Sequence, residues 1–96
     1  MFEGEKHITS GVGAKIPVEQ QERMLDMIEI VRVENELDYL QIFELSKYKS
    51  MQKITHKQEQ PEFKRQYLMA ADEIVREKVY VIDSGEYCMM LLAKEY

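Results

Sequence analysis

Two apolar runs, residues 79–82 and 87–93, flank the tetrad Asp83-Ser84-Gly85-Glu86. The first run is rich in β-branched and aromatic residues, and Gly85 readily adopts positive φ, so the pattern predicts a β-hairpin. Both faces of each strand are apolar: Val79 and Val81 against Tyr80 and Ile82, then Cys88, Met90 and Leu92 against Tyr87, Met89 and Leu91. Strands of this kind lie inside a sheet and are covered on both sides. The hairpin is therefore expected at the centre of the molecule, with the rest of the chain or a partner supplying the cover.

Upstream, residues 6–10 alternate weakly and read as a short strand, and Gly11-Val12-Gly13 reads as a turn. Pro17, Glu19 and Glu22 suit the start of a helix over residues 17–33. Met24, Ile28 and Val31 form the centre of its apolar stripe, widened by Met27 and Ile30 on one flank and Leu25 on the other. That arc is broader than one sheet contact requires, which points to deep burial or to contact with a second molecule. Residues 39–45 form the next strand, with Leu40, Ile42 and Glu44 on one side and Tyr39, Gln41, Phe43 and Leu45 on the other. A basic turn spans 46–50. Residues 51–59 place Met51, Lys53, Thr55 and Lys57 opposite Gln52, Ile54, His56 and Gln58, which reads as a wet, edge-like strand. Residues 60–62 break it. Residues 63–70 alternate again, residues 71–76 are a loop, and Glu77 opens the hairpin. The expected order is β-α-β-β-β-β-β. The expected fold is a single α+β domain over residues 1–96, an antiparallel or mixed sheet of about five or six strands with one main helix packed on it.

Composition narrows the class. An apolar fraction of 45% beside 32% charged residues suits a globular domain. No apolar run reaches the ~18 residues of a membrane span, and residues 1–6 hold no apolar signal core, so a cytoplasmic location is expected. A single cysteine excludes an internal disulfide framework. The net charge of −5 is unevenly distributed: residues 19–44 hold eight acids against two bases, and residues 47–65 hold six bases against two acids. This balance argues against direct nucleic-acid binding by the whole surface and fits two faces with different partners.

Three pieces carry a family resemblance. They are residues 8–20, with Ile8-Thr9-Ser10-Gly11-Val12 leading into Lys15-Ile16-Pro17-Val18-Glu19-Gln20; residues 37–46; and residues 54–64 followed by 81–95, with Gln58-Glu59-Gln60-Pro61 and Ile82-Asp83-Ser84-Gly85-Glu86-Tyr87 the most specific. In order and spacing the chain resembles domain-of-unknown-function family 960, small proteins of low-GC Gram-positive bacteria and their phages and plasmids. The resemblance implies no activity, cofactor or catalytic residue. It does imply a mobile-element setting, in which small acidic proteins act by binding a larger host machine, CRISPR nucleases among them.

Candidate chemistry is sparse. His56 as a general base requires a nucleophile or carboxylate held against it, and Glu59 and Glu62 are near only in sequence. His7, His56 and Cys88 lack the paired spacing of a zinc site, so no metal or cofactor is expected, and Cys88 reads as a buried core thiol. Lys47, Lys49, Lys53, Lys57, Lys64 and Arg65, interleaved with Tyr48, Phe63 and Tyr67, compose either a weak single-strand nucleic-acid surface or lysines guarding a sheet edge. Glu19, Glu22, Asp26 and Glu29 share a helix face beside Met27 and Ile30. Met24 and Met27 offer adaptable apolar contact there. The expectation is a non-enzymatic protein-binding module, foremost an inhibitor of a host nucleic-acid-handling defence complex such as a CRISPR nuclease. It would act through the acidic helix or the basic 47–65 segment. A homodimer is also expected, from the broad helix stripe and the doubly apolar hairpin. The alternatives are a small hydrolase built on His56 or a weak single-stranded nucleic-acid binder.

Overall fold

The computed structural model describes residues 1–96. Its elements are β1 (Glu5–Ile8), α1 (Ser10–Lys15), α2 (Val18–Glu34), β2 (Leu40–Tyr48), β3 (Met51–Glu59), β4 (Glu62–Met69), β5 (Glu77–Asp83) and β6 (Tyr87–Leu92), followed by a 3-10 turn, Ala93–Glu95. The six strands form one sheet in the order β1-β6-β5-β2-β3-β4. All pairs are antiparallel except β1 with β6, so the fold is a mixed α+β sheet with one main helix.

The hairpin does lie inside this sheet. β5 is bonded to β6 and β2, β6 is bonded to β5 and β1, and Gly85 closes the turn at φ +96°. The expectation of cover on both faces fails. Val79, Val81, Cys88, Met90 and Leu92 are buried; on the other face only Leu91 is buried, while Tyr80, Ile82 and Met89 are half-buried and Tyr87 is exposed. The helices roof one face, and no second helical layer covers the other.

Helix α2 follows the period of its apolar residues. Met24, Ile28 and Val31 are buried and Met27 nearly so, while Ile30 is 50% and Val33 85% exposed. The helix is pinned at both ends. Gln20 Nε2 donates to the Glu73 carbonyl at 3.1 Å, and Arg65 of β4 pairs with Glu34. Between these, the Arg23 guanidinium lies 4.6 Å from the centre of the Tyr67 ring.

Two further expectations are corrected. The Gly11-Val12-Gly13 stretch is part of a helix, α1, rather than a plain turn. Thr9 caps it by accepting from Val12 N at 3.2 Å, and Val12 is buried. The hydroxyl of Thr9 in turn donates to Glu95 Oε1 at 2.7 Å, fastening the helix entrance to the C-terminal turn. Strand β3 is not a wet edge: it lies between β2 and β4, and its Gln52, His56 and Gln58 are buried under the helix layer. They are tolerated because each finds partners. Gln52 binds loop 70–76 as a peptide would, accepting from Val75 N at 2.7 Å and donating to Val75 O at 3.0 Å. The edge on this side of the sheet is β4, which is paired only with β3.

Candidate protein-binding face

Side chains alternate between the faces of a strand, and pairing register aligns them across strands. Lys57 of β3 is therefore flanked by Ile42 of β2 and Lys64 of β4, and Ile42 by Tyr80 of β5. All four lie on the face away from α2. Ile42, Lys57, Lys64 and Lys78, with Glu59 and Glu62 at the rim, line a depression of about 640 Å³ open to solvent. Lys57 contacts Glu44 at 3.0 Å, whereas Lys64 and Lys78 make no ion pair. Beside the lysines runs an apolar tract: Leu40, Ile42, Tyr80, Ile82 and Met89, all half-buried, with Tyr96 against Tyr80 edge to face at 5.5 Å.

The basic residues singled out in the sequence divide among three places. Lys53, Lys57 and Lys64 share the uncovered face. Lys47 and Lys49 are exposed at the β2–β3 turn, where Lys49 has φ +55°. Arg65 lies on the helix side, paired with Glu34. Lys78, which joins the cluster, was not singled out. Its signal was its parity with Tyr80 in β5, legible only once β5 is known to pair with β2. Glu19, Glu22, Asp26 and Glu29 are all exposed along the outer stripe of α2. Glu29 is held by Arg32 at 3.0 Å, and this hydrogen bond lowers its pKa. Ile30 is open beside that stripe, but Met27 is 7% exposed and packs inward, so it offers no docking surface.

His56 is a core residue. Its ring stacks on Phe43 at 4.3 Å and meets the edge of Phe63 at 5.0 Å. Gln41 Nε2 donates to Asp38 O and to Gln58 Oε1, leaving Gln41 Oε1 to accept from His56 Nε2 at 2.6 Å. Gln58 extends the chain to the carbonyls of Glu36 and Pro61. Desolvation, with Arg65 adding to it, lowers the His56 pKa to about 4, so the ring is neutral at pH 7. Neither Glu59 nor Glu62 bonds to it, and its Nδ1 has no side-chain or backbone partner. His7 faces the uncovered side of β1, whereas Cys88 is buried on the helix side with β5 and β2 between its strand and that of His56, and no group of three or more metal-capable side chains assembles anywhere. Burial pushes the Cys88 thiol pKa up, which keeps it protonated and unreactive. No helix is long and apolar enough to cross a membrane.

The family model described as "Staphylococcal protein of unknown function (DUF960)" matches residues 5–95. The chain belongs to this family. Its match spans every strand and both helices, so the DUF960 domain and the fold described above are the same unit. Among solved structures, the chain is similar to a protein of unknown function from Enterococcus faecalis, at a TM-score of 0.85 and 15% identity, covering 98% of this chain and 92% of that one. At that identity the likeness concerns the fold alone. Among curated proteins no relative matches.

Proposed function

We propose that this protein is a binding module that docks through the uncovered face of its sheet onto an acidic protein surface. The observation that carries the reading is the convergence of Lys57, Lys64 and Lys78 around Ile42. Lys57 and Lys64 face each other directly across β3 and β4; Glu44 offsets Lys57, which leaves Lys64 and Lys78 as the unpaired charges available to an anionic partner group. The adjoining apolar tract, from Leu40 to Met89, supplies apolar contact area, and an apolar centre bordered by polar and charged groups is the usual anatomy of a protein interface. Glu44, Glu59 and Glu62 within the same face favour a protein partner over a continuous phosphate backbone.

A second reading uses the opposite side. Glu19, Glu22, Asp26 and Glu29 form one exposed stripe on α2, a row of carboxylates suited to a basic nucleic-acid channel. This is the surface through which inhibition of a nucleic-acid-handling defence complex, a CRISPR nuclease among them, would operate in a staphylococcal host or its mobile elements.

One experiment separates the two. Tagged protein is used to capture partners from a staphylococcal lysate, alongside a Lys57→Glu/Lys64→Glu/Lys78→Glu variant and a Glu19→Lys/Glu22→Lys/Asp26→Lys variant, each checked for native circular dichroism. The proposal expects the lysine variant to lose an acidic partner that the helix variant retains. The reverse pattern supports the second reading. Failure of the unaltered protein to retain any partner counts against both.

A further inference from the structure

We infer that two copies of this chain pair antiparallel through β4, with Gln66 on the two-fold axis. Strand β4 is an edge, bonded on one side to β3 and on the other to nothing. Its pairing with β3 runs without a bulge from Gln52↔Met69 to Glu59↔Glu62, and it contains neither proline nor glycine. An edge this long and regular is a template for another strand unless charges, bulges or a covering element blunt it. Here the only blunting devices inside the strand are its charges, Glu62 at its start and Lys64 and Arg65. The opposite edge, β1, is four residues long and runs straight into the α1 cap.

The sequence of β4 selects one register. In a two-fold antiparallel pair, facing residues lie on the same side of the sheet, so the axis must pass through a residue position. An axis at Lys64 or Arg65 sets like charges face to face. An axis at Tyr67 shortens the overlap and leaves Phe63 outside it. An axis at Gln66 sets Gln66 against itself, Lys64 against Leu68, Arg65 against Tyr67 and Phe63 against Met69. No like charges meet. Leu68, 41% exposed in the single chain, gains an aliphatic lysine stem as cover, and Phe63 gains a thioether contact. This pairing uses the edge of the sheet rather than its face, so it stands whether or not the face binds an acidic partner. It also joins the two uncovered faces into one surface with two lysine clusters.

The tests are hydrodynamic mass and cross-linking. The unaltered protein is expected to run at twice the chain mass at high micromolar concentration by light scattering. Gln66→Lys, with unchanged circular dichroism, is expected to weaken the dimer about tenfold or more. Gln66→Cys places the two facing Cα atoms roughly 4.5–5.5 Å apart, within disulfide range, and the native Cys88 is buried and does not compete. Mild oxidation should link Gln66→Cys rapidly and Leu68→Cys, which faces lysine, slowly. A monomer at every concentration, a dimer untouched by Gln66→Lys, or equal cross-linking at the two positions would each overturn the inference.

Discussion

At the scale of single residues, the buried polar groups of β3 decide most. His56 is neutral when folded, with a pKa near 4 against an ordinary value of 6.5. As pH falls, the unfolded chain takes up the proton first. The stability that depends on the neutral ring is therefore complete above about pH 6.5, declines between there and pH 4, and levels off below. The gap between the two values corresponds to at most about 3 kcal/mol. Urea titrations at a series of pH values should show this slope, and His56→Gln, which keeps a donor for Gln41 but has nothing to protonate, should flatten it. Gln52→Ala removes the partners of both the Val75 N–H and the Val75 carbonyl and is expected to cost about 2–4 kcal/mol in the same assay, since two buried backbone groups lose their bonds. The alternation of β3 was legible, and it placed Gln52, Ile54, His56 and Gln58 together. Their burial was not legible, because three of the four are polar and the groups that satisfy them, Val75, Gln41 and Glu36, come from distant parts of the chain.

At the scale of elements, the long periodic segment was the easiest to read. α2 runs Val18–Glu34, within a residue of its expected bounds, because Met24, Ile28 and Val31 recur at helical spacing. Ile28→Ala should cost about 2–5 kcal/mol by leaving a cavity under the helix, whereas Val33→Ala, on an exposed position, should change the urea midpoint little. The short helix α1 was missed because two glycines in six residues argue for a turn. Its stability comes instead from the Thr9 cap and the Glu95 carboxylate fastened to it. Strand β1 depends on a close backbone approach: a Cβ at Gly4 would lie 2.3 Å from the Glu86 carbonyl oxygen. Gly4→Ala should force β1 away from β6 and cost about 1–3 kcal/mol, read as faster amide exchange along β1.

At the scale of the whole molecule, charge is sorted between two opposed surfaces. The outer stripe of α2 carries Glu19, Glu22, Asp26 and Glu29, and the uncovered sheet face carries Lys53, Lys57, Lys64 and Lys78. Binding through the lysine face should weaken steeply as salt rises from about 0.1 to 1 M, over which the screening length falls from about 10 to 3 Å. Pairing through the β4 edge rests on backbone hydrogen bonds and apolar contacts and should change little over the same range. Sedimentation of the protein with and without its captured partner at the two salt concentrations separates the two interactions. The basic residues of segment 47–65 therefore do not lie on one surface. Strand parity set Lys53 beside Lys57 and kept Lys64 off the face of Arg65, but only the sheet order brings Lys64 against Lys57, and Lys78 joins from a strand thirteen residues after Arg65.

The sequence by itself determined which segments are strands and which is the main helix, and which residues share a face of each, because hydrophobic period and turn chemistry are local properties. It also placed the doubly apolar hairpin inside the sheet. Only the tertiary structure decided that β5 returns to pair with β2, that β1 runs parallel beside β6, and that one side of the sheet stays uncovered, because strand order depends on contacts between residues far apart in the chain. The lysine cluster and the open β4 edge are consequences of that order.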